Sequence, residues 1–275
     1  DAMRQFEDEG FGRVIRHIQD EVAFEPEYYN PDYLDRRITA RMRRQEVEEY
    51  DDYLEILQSD SREKEALMNS LTINVTNFFR NQEMWEALRP VLGELTDENR
   101  RVQVWSAPCA DGREPYSVSM LARDDRTIDD DRLTIVGTDI SDEALENARE
   151  GTYETTRTTD IGEELSLLND PEKYVNVEDN TFTVKPEVRR QIDFERHDLV
   201  QDGPKRNYDL IFCRNLLIYI DSEYKLPVFD TLTSSLKSGG YLVVGMTETV
   251  PQEIRDDFEP VSKRCRIYKY APEET

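Results

Sequence analysis

The sequence predicts an open α/β sheet domain preceded by a helical region, and three stretches carry that prediction. Arg101 to Ser119, RVQVWSAPCADGREPYSVS, opens with the strand-type residues Val102, Val104 and Trp105, breaks at Ser106 to Gly112, and resumes as helix from Glu114. Leu133 to Val136 is an apolar run ending in Gly137-Thr138-Asp139-Ile140, which places a carboxylate at a second strand tip, 27 residues after Gly112. Tyr208 to Cys213 has the apolar character of a strand buried on both faces and leads into Arg214-Asn215. In an open α/β sheet the first of these corners is where a nucleotide-like ligand lies. A glycine lets the backbone approach it, and the helix N-terminus presents free N–H groups. An acid at the tip of the next strand typically takes the two hydroxyls of a ribose. The other reading of Asp139 is a helix cap before Ser141.

In chain order, Phe11, Val14, Ile15 and Ile18 recur at helical spacing, and Pro26 and Pro31 punctuate a loop. From Tyr33 to Arg44, Leu34, Ile38 and Met42 form a narrow apolar stripe, while Arg36, Arg37, Arg41, Arg43 and Arg44 spread over the remaining faces. Those arginines read either as a solvated helix pairing with the acids of Glu46 to Asp52 or as a docking face for an acidic partner. Arg37, Arg41 and Arg44 share one helical face. Tyr50, Leu54 and Leu57, then Leu67 and Leu71, continue the bundle. In LTINVTNFFR, Phe78 and Phe79 anchor while Asn74, Thr76 and Arg80 project polar groups. The amphipathic MWEALRPVL follows, and Gly93 to Arg100 reads as a turn-rich linker. The division is a helical domain with its linker helix over 1–92 and a sheet domain over 93–275.

Within the sheet domain, Ser141 predicts an N-cap and Gly151 the end of the same helix. Thr152 to Val188 then breaks the βα rhythm with a short helix and two strand-like pieces, Tyr174 to Val177 and Thr181 to Val184, joined by Glu178-Asp179-Asn180. It reads as a hairpin inserted within 152–190. The rhythm resumes at Ile192 to Glu195. Helix Ser222 to Lys237 is expected to bend at Pro227. Gly239-Gly240 turns into strand Tyr241 to Gly245, and Cys265 to Tyr270 is the last strand.

Composition narrows the function. Cys109, Cys213 and Cys265 are odd in number and far apart, and His17 and His197 do not cluster, so neither a disulfide framework nor a metal site is expected. No apolar run reaches membrane-spanning length and no signal peptide opens the chain, which predicts a soluble, cytoplasmic protein. The net charge of -25 argues against nucleic acid, whose phosphates require a basic footprint. Only eight of the 35 basic residues are lysine. With the acid excess, this predicts adaptation to a very salty cytoplasm, where surface self-repulsion is screened, as in a halophilic archaeon.

From Tyr28 to Tyr270 the chain resembles the CheR family, the S-adenosylmethionine-dependent methyltransferases that esterify glutamates of chemotaxis receptors. The arginine-rich helix, NVTNFFR, WSAPCADGREPYS, GTDIS, IDFERHDL and FCRNLLIYID occur in the family's order and spacing. The resemblance implies a small helical domain, a class I methyltransferase sheet with one antiparallel strand, and an inserted β-subdomain. It implies S-adenosylmethionine as cofactor, with contacts at Asn74, Thr76, Arg80, Glu114, Asp139, Asp198, Leu199, Arg214 and Asn215. Tyr219 is then expected beside the transferred methyl, with Arg80 and Tyr219 the catalytic pair. The implied partner is the cytoplasmic helical domain of the receptors, met by Arg37, Arg41 and Arg44 of a monomer. Pro108, Asp111, Arg113 and Asp198 depart from the family's usual residues, and the turn at Glu178 to Asn180 is short beside members that bind a receptor C-terminal peptide. A class I methyltransferase on another acceptor and a cofactor sensor without turnover are the other readings.

Overall fold

The computed structural model describes residues 9–21, 26–71 and 76–273. It divides into two units: Asp1–Ile73 with Ile218–Leu226, and Asn74–Leu217 with Pro227–Thr275. In the first unit, α1 (Glu9–Glu21), α2 (Pro31–Arg44), α3 (Tyr50–Ser59) and α4 (Ser61–Leu71) form a helical bundle. Asn30 caps α2 by accepting the Asp32 N–H, and Pro31 follows at the first helical position, where a missing N–H costs nothing. The expected stripe of Leu34, Ile38 and Met42 is buried, together with Val14, Tyr53 and Leu71.

Ile218–Leu226, which the sequence reading left in the sheet domain, completes this helical unit. Ile220 forms an antiparallel bridge with Tyr29. The Asn30 N–H donates to the Tyr219 carbonyl at 2.9 Å, and the Asp221 N–H donates to the Tyr28 carbonyl at 2.9 Å. These are contacts between distant parts of the chain, and no local pattern encodes them.

The second unit opens with α5 (Gln82–Glu98), followed by β1 (Val102–Ser106), α6 (Arg113–Asp124), β2 (Leu133–Asp139) and α7 (Asp142–Glu150). Gly93 to Arg100 is thus corrected from linker to helix as far as Glu98. Val91, Leu92, Leu95 and Thr96 are buried on one face, and the acids that gave the stretch its polar look lie on the other. Helix α7 runs as expected from its Ser141 cap, whose hydroxyl accepts the Ala144 N–H, to Gly151 at φ 62°.

The expected hairpin forms, and one further strand makes the insertion a three-stranded sheet. It is built from β3 (Thr152–Glu154), β4 (Val175–Glu178) and β5 (Thr181–Val184) in the order β3-β5-β4, with the short helices α8 (Ile161–Glu164) and α9 (Pro186–Arg189). Then come β6 (Ile192–Arg196), β7 (Tyr208–Cys213), α10 (Ser222–Ser235), β8 (Leu236–Val244), β9 (Phe258–Ser262) and β10 (Ile267–Tyr270). Strand β8 begins five residues before the expected Tyr241, and β9 was not anticipated. The main sheet has the order β6-β2-β1-β7-β8-β10-β9. Neighbours from β6 to β8 pair parallel, and β10 runs antiparallel to both β8 and β9. The chain leaves β1 toward β2 on one side and returns to β7 on the other, so the strand order reverses at the C-terminal ends of β1 and β7. A crevice for ligand opens at such a point.

Candidate active site

The corner after β1 is built by close approach. Gly112 has φ +90°, and a Cβ there would stand 2.9 Å from the Ala148 Cβ of α7, so both the turn and the helix contact require glycine. Glu114, in the first turn of α6, is buried and accepts the Ser106 hydroxyl at 2.7 Å. Burial pushes its carboxyl up, against the pull of Arg214, the Ser106 hydroxyl and Arg80. Asp139 ends β2, and its two oxygens accept the Ala110 N–H at 2.9 Å and the Ser141 N–H at 3.0 Å. It therefore does tie the entry to α7, and it also joins the loops that follow β1 and β2. A carboxylate has about four acceptor positions, which leaves capacity for hydroxyl groups. Burial pushes its carboxyl up, against the N–H groups of Ser141, Ala110 and Ile140. Asp139→Ala is expected to weaken S-adenosylmethionine and S-adenosylhomocysteine together by about 1 to 3 kcal/mol. Calorimetry finding both affinities unchanged would remove Asp139 from the site.

Arg214, just past β7, is the hub of the corner and is 5% exposed. One terminal nitrogen donates to the Arg80 carbonyl at 3.1 Å and lies 3.7 Å from a Glu114 oxygen; the other donates to Asn81 Oδ1 at 2.6 Å. Its buried Nε has no hydrogen-bond partner among the described residues. The Arg80 segment is held in a conformation that Phe79 disfavours. Phe79 and Asn81 take φ values of 49° and 60°; asparagine tolerates this region, whereas for Phe79 it costs on the order of 1 to 3 kcal/mol unless the surroundings compensate. They do: the Phe79 N–H donates to the Ser117 hydroxyl, the Phe78 N–H to Glu164, and Trp85 Nε1–H to the Arg80 carbonyl.

Asp111 and Arg113, two departures from the family pattern, form a pair. Arg113 donates to Asp111 at 3.2 Å, lies 3.6 Å from Glu164 and covers the Tyr153 ring at 4.9 Å. Glu164 also accepts the Phe78 N–H, so the inserted segment is joined to the loop carrying Phe78.

Beyond β6, Asp198 folds its carboxylate onto the Val200 and Gln201 N–H groups, and Leu199 is buried. Asp198 acts through its carboxylate as a turn cap, and its own N–H donates to Asp202 at 2.9 Å. The preceding His197 N–H donates to the Asp139 carbonyl at 3.1 Å, which brings this turn to Asp139. Asn215 takes φ 60°, with its N–H on Glu248 at 2.6 Å.

The structure thus gathers Arg80, Glu114 and Arg214, joins Asp139 to the loop of Ala110, and places Asp198 and Leu199 beyond the neighbouring strand. Thr76 is half-buried, and Asn74 lies outside the described residues. Ser106, Ser117, Glu164 and Glu248 were missed. Their partners are distant in sequence or are backbone groups, and only Gly245 at a strand end hinted at Glu248.

In the helical unit, Arg41 requires a correction. Its guanidinium makes a bidentate pair with Glu63, which is 3% exposed, at 2.9 and 2.6 Å. Arg41 therefore belongs to an internal polar network, and of the expected docking trio only Arg37 and Arg44 keep their guanidinium groups off it. Arg37 covers the Tyr33 ring at 5.4 Å, and Arg44 is exposed. Tyr219 sits with its ring 4.8 Å from that of Tyr33.

Among the described residues no acid, histidine and cysteine group is placed to hold a metal, and no helix is long and apolar enough to cross a membrane. An unpaired buried guanidinium N–H suits a ligand carboxylate, Glu114 suits an ammonium, and Asp139 suits hydroxyls. This donor set fits S-adenosylmethionine, whose sulfonium supplies an activated methyl group. Fold and site define a class I S-adenosylmethionine-dependent methyltransferase.

Family models extend this to nearly the whole chain: the CheR methyltransferase all-alpha domain matches residues 9–72 and the CheR methyltransferase SAM-binding domain matches residues 74–267. The chain belongs to the CheR methyltransferase family. A chemotaxis protein methyltransferase from Listeria monocytogenes is 32% identical over 242 residues, covering 87% of this chain and 88% of that one. Another from Vibrio parahaemolyticus is 33% identical over 212 residues, covering 74% and 75%. Among solved structures, the N-methyltransferase NodS from Bradyrhizobium japonicum, bound to S-adenosylhomocysteine, aligns with a TM-score of 0.35 at 17% identity over 61% of this chain and 62% of that one.

Proposed function

We propose that this enzyme transfers the methyl group of S-adenosylmethionine to glutamate carboxylates of methyl-accepting chemotaxis receptors, giving methyl esters and S-adenosylhomocysteine. The observation that carries the reading is the family match, in one chain, to both the all-alpha and the SAM-binding domains. The relatives' names as chemotaxis protein methyltransferases support it. So does a basic helix in a chain of net charge -25, a complement to acidic helical receptor segments, with Arg37 and Arg44 as the contact residues. The acid excess and the preference for arginine support a cytoplasmic monomer working in high salt.

A glutamate is ionised at neutral pH and attacks a sulfonium methyl without a general base, so the protein's share is orientation and exclusion of water. Asn74, Thr76, Arg80, Glu114, Asp139, Asp198, Leu199, Arg214 and Asn215 bind the cofactor in this reading. Arg80 holds the cofactor's carboxylate or the incoming glutamate, and the Tyr219 hydroxyl orients the acceptor. Incubation with methyl-labelled cofactor and receptor cytoplasmic domains should place base-labile label on receptor glutamates. Label that is base-stable, or absent from the receptors, would refute the reading. In the same assay Tyr219→Phe should lower turnover more than cofactor affinity. Equal losses in both would reassign the residue.

A further inference from the structure

Glu248 lies beyond the end of β8 and is 3% exposed. One carboxylate oxygen accepts the Asn215 N–H at 2.6 Å and the Gly245 N–H at 2.7 Å. The ends of β7 and β8 are thereby tied together through a single atom. Asn215 is left-handed at φ 60°, a region that asparagine enters more readily than most residues, and the Glu248 bond to its N–H holds it there. The arrangement also constrains residue 245. A Cβ on Gly245 would stand 2.5 Å from that same Glu248 oxygen and 3.1 Å from the Asn215 nitrogen. The seat for the carboxylate exists because residue 245 is glycine.

We propose that Glu248 is a positioning residue of the cofactor site, holding the Arg214-Asn215 corner in place and biasing the site toward the sulfonium cofactor over its neutral product. This rests on the reading that Arg214 and Asn215 bind the cofactor. The bias follows from charge. Glu114 and Glu248 stand against Arg80 and Arg214 in one buried neighbourhood, and Glu248 acts on both Glu114 and Arg214, favouring the protonated form of each. Neutralising Glu248 leaves one acid facing two guanidinium groups. S-adenosylmethionine carries one more positive charge than S-adenosylhomocysteine, so it loses more from that change. The same bias helps an enzyme exchange spent product for fresh cofactor.

Two variants separate geometry from charge, and calorimetry with each ligand reads both. Glu248→Gln keeps an acceptor oxygen for the two N–H groups and removes the charge. It should raise the Kd of S-adenosylmethionine about tenfold and that of S-adenosylhomocysteine less than threefold. Gly245→Ala keeps the charge and displaces the carboxylate. It should raise both Kd values together by about tenfold and speed hydrogen exchange at the Asn215 amide. A folding role alone would lower stability without moving the ratio of the two affinities. An unchanged ratio in Glu248→Gln overturns the proposal, whether or not Gly245→Ala folds; so does a folded Gly245→Ala that binds both ligands normally. Arg214→Lys serves as the control. Normal product binding there takes the corner out of the cofactor site and the proposal with it, whereas weakened binding there with an unchanged ratio in Glu248→Gln sinks the proposal alone.

Discussion

Replacing Arg214 with alanine is expected to lower stability by about 3 to 5 kcal/mol and to weaken S-adenosylhomocysteine binding at least a hundredfold. The side chain is 5% exposed and serves the Arg80 carbonyl, Asn81 and Glu114 at once. Its removal strands a buried carboxylate and releases a loop whose left-handed Phe79 depends on outside restraint. Lysine is no substitute, because a point charge cannot reach two loop acceptors along the edges of one plane. Denaturant unfolding with calorimetry on the folded variant checks both halves. The double variant with Glu114→Gln should regain part of the stability and little of the binding. Arg214→Ala unfolding at the unaltered midpoint would show that the hub contributes nothing.

Glu63→Ala is the second large effect, about 3 to 5 kcal/mol in the helical unit. Glu63 accepts two bonds from Arg41 and one each from Tyr53 and Gln45, at 2.6 to 2.9 Å. Burial works to raise its carboxyl, and the donors from Arg41, Tyr53 and Gln45 outweigh it, so Glu63 sits below its ordinary 4.5. The sign follows directly. A carboxylate depressed in the folded state contributes stability above its unfolded value, and that contribution is lost as pH falls below 4.5 through the folded one. Thermal melts of the unaltered protein should therefore fall more steeply below pH 4.5 than those of Glu63→Ala. Parallel pH profiles would mean that folding leaves the proton affinity of Glu63 unchanged.

What was legible in the sequence was what is local. The stripe of Leu34, Ile38 and Met42 and the Ser141-to-Gly151 helix are each written within a few turns of chain, and each forms as read. The strand tips bearing Asp139 and Arg214 were legible because apolar runs end abruptly in polar residues. Gly93 to Arg100 misled because average polarity hides a one-sided helix. Strand β9 misled because Pro260 argues against a strand, and an edge position, which β9 occupies, tolerates it. Arg41 looked outward because it lies off the stripe of Leu34, Ile38 and Met42, but its destination was set by Glu63, 22 residues later. Glu248 reaches Asn215 across 33 residues, and no spacing rule spans such a distance.

The helical unit takes its last piece from Ile218–Leu226, although its described helices α1 to α4 end by Leu71. On the ribosome those helices emerge long before the segment that bridges Tyr29 and whose Tyr219 carbonyl accepts the Asn30 N–H. The helical unit therefore waits, with one side unfinished, until most of the sheet unit has been made. A fragment ending near residue 73 would hold that unfinished state indefinitely, and supplying residues 218–226 as a separate peptide should raise its melting temperature.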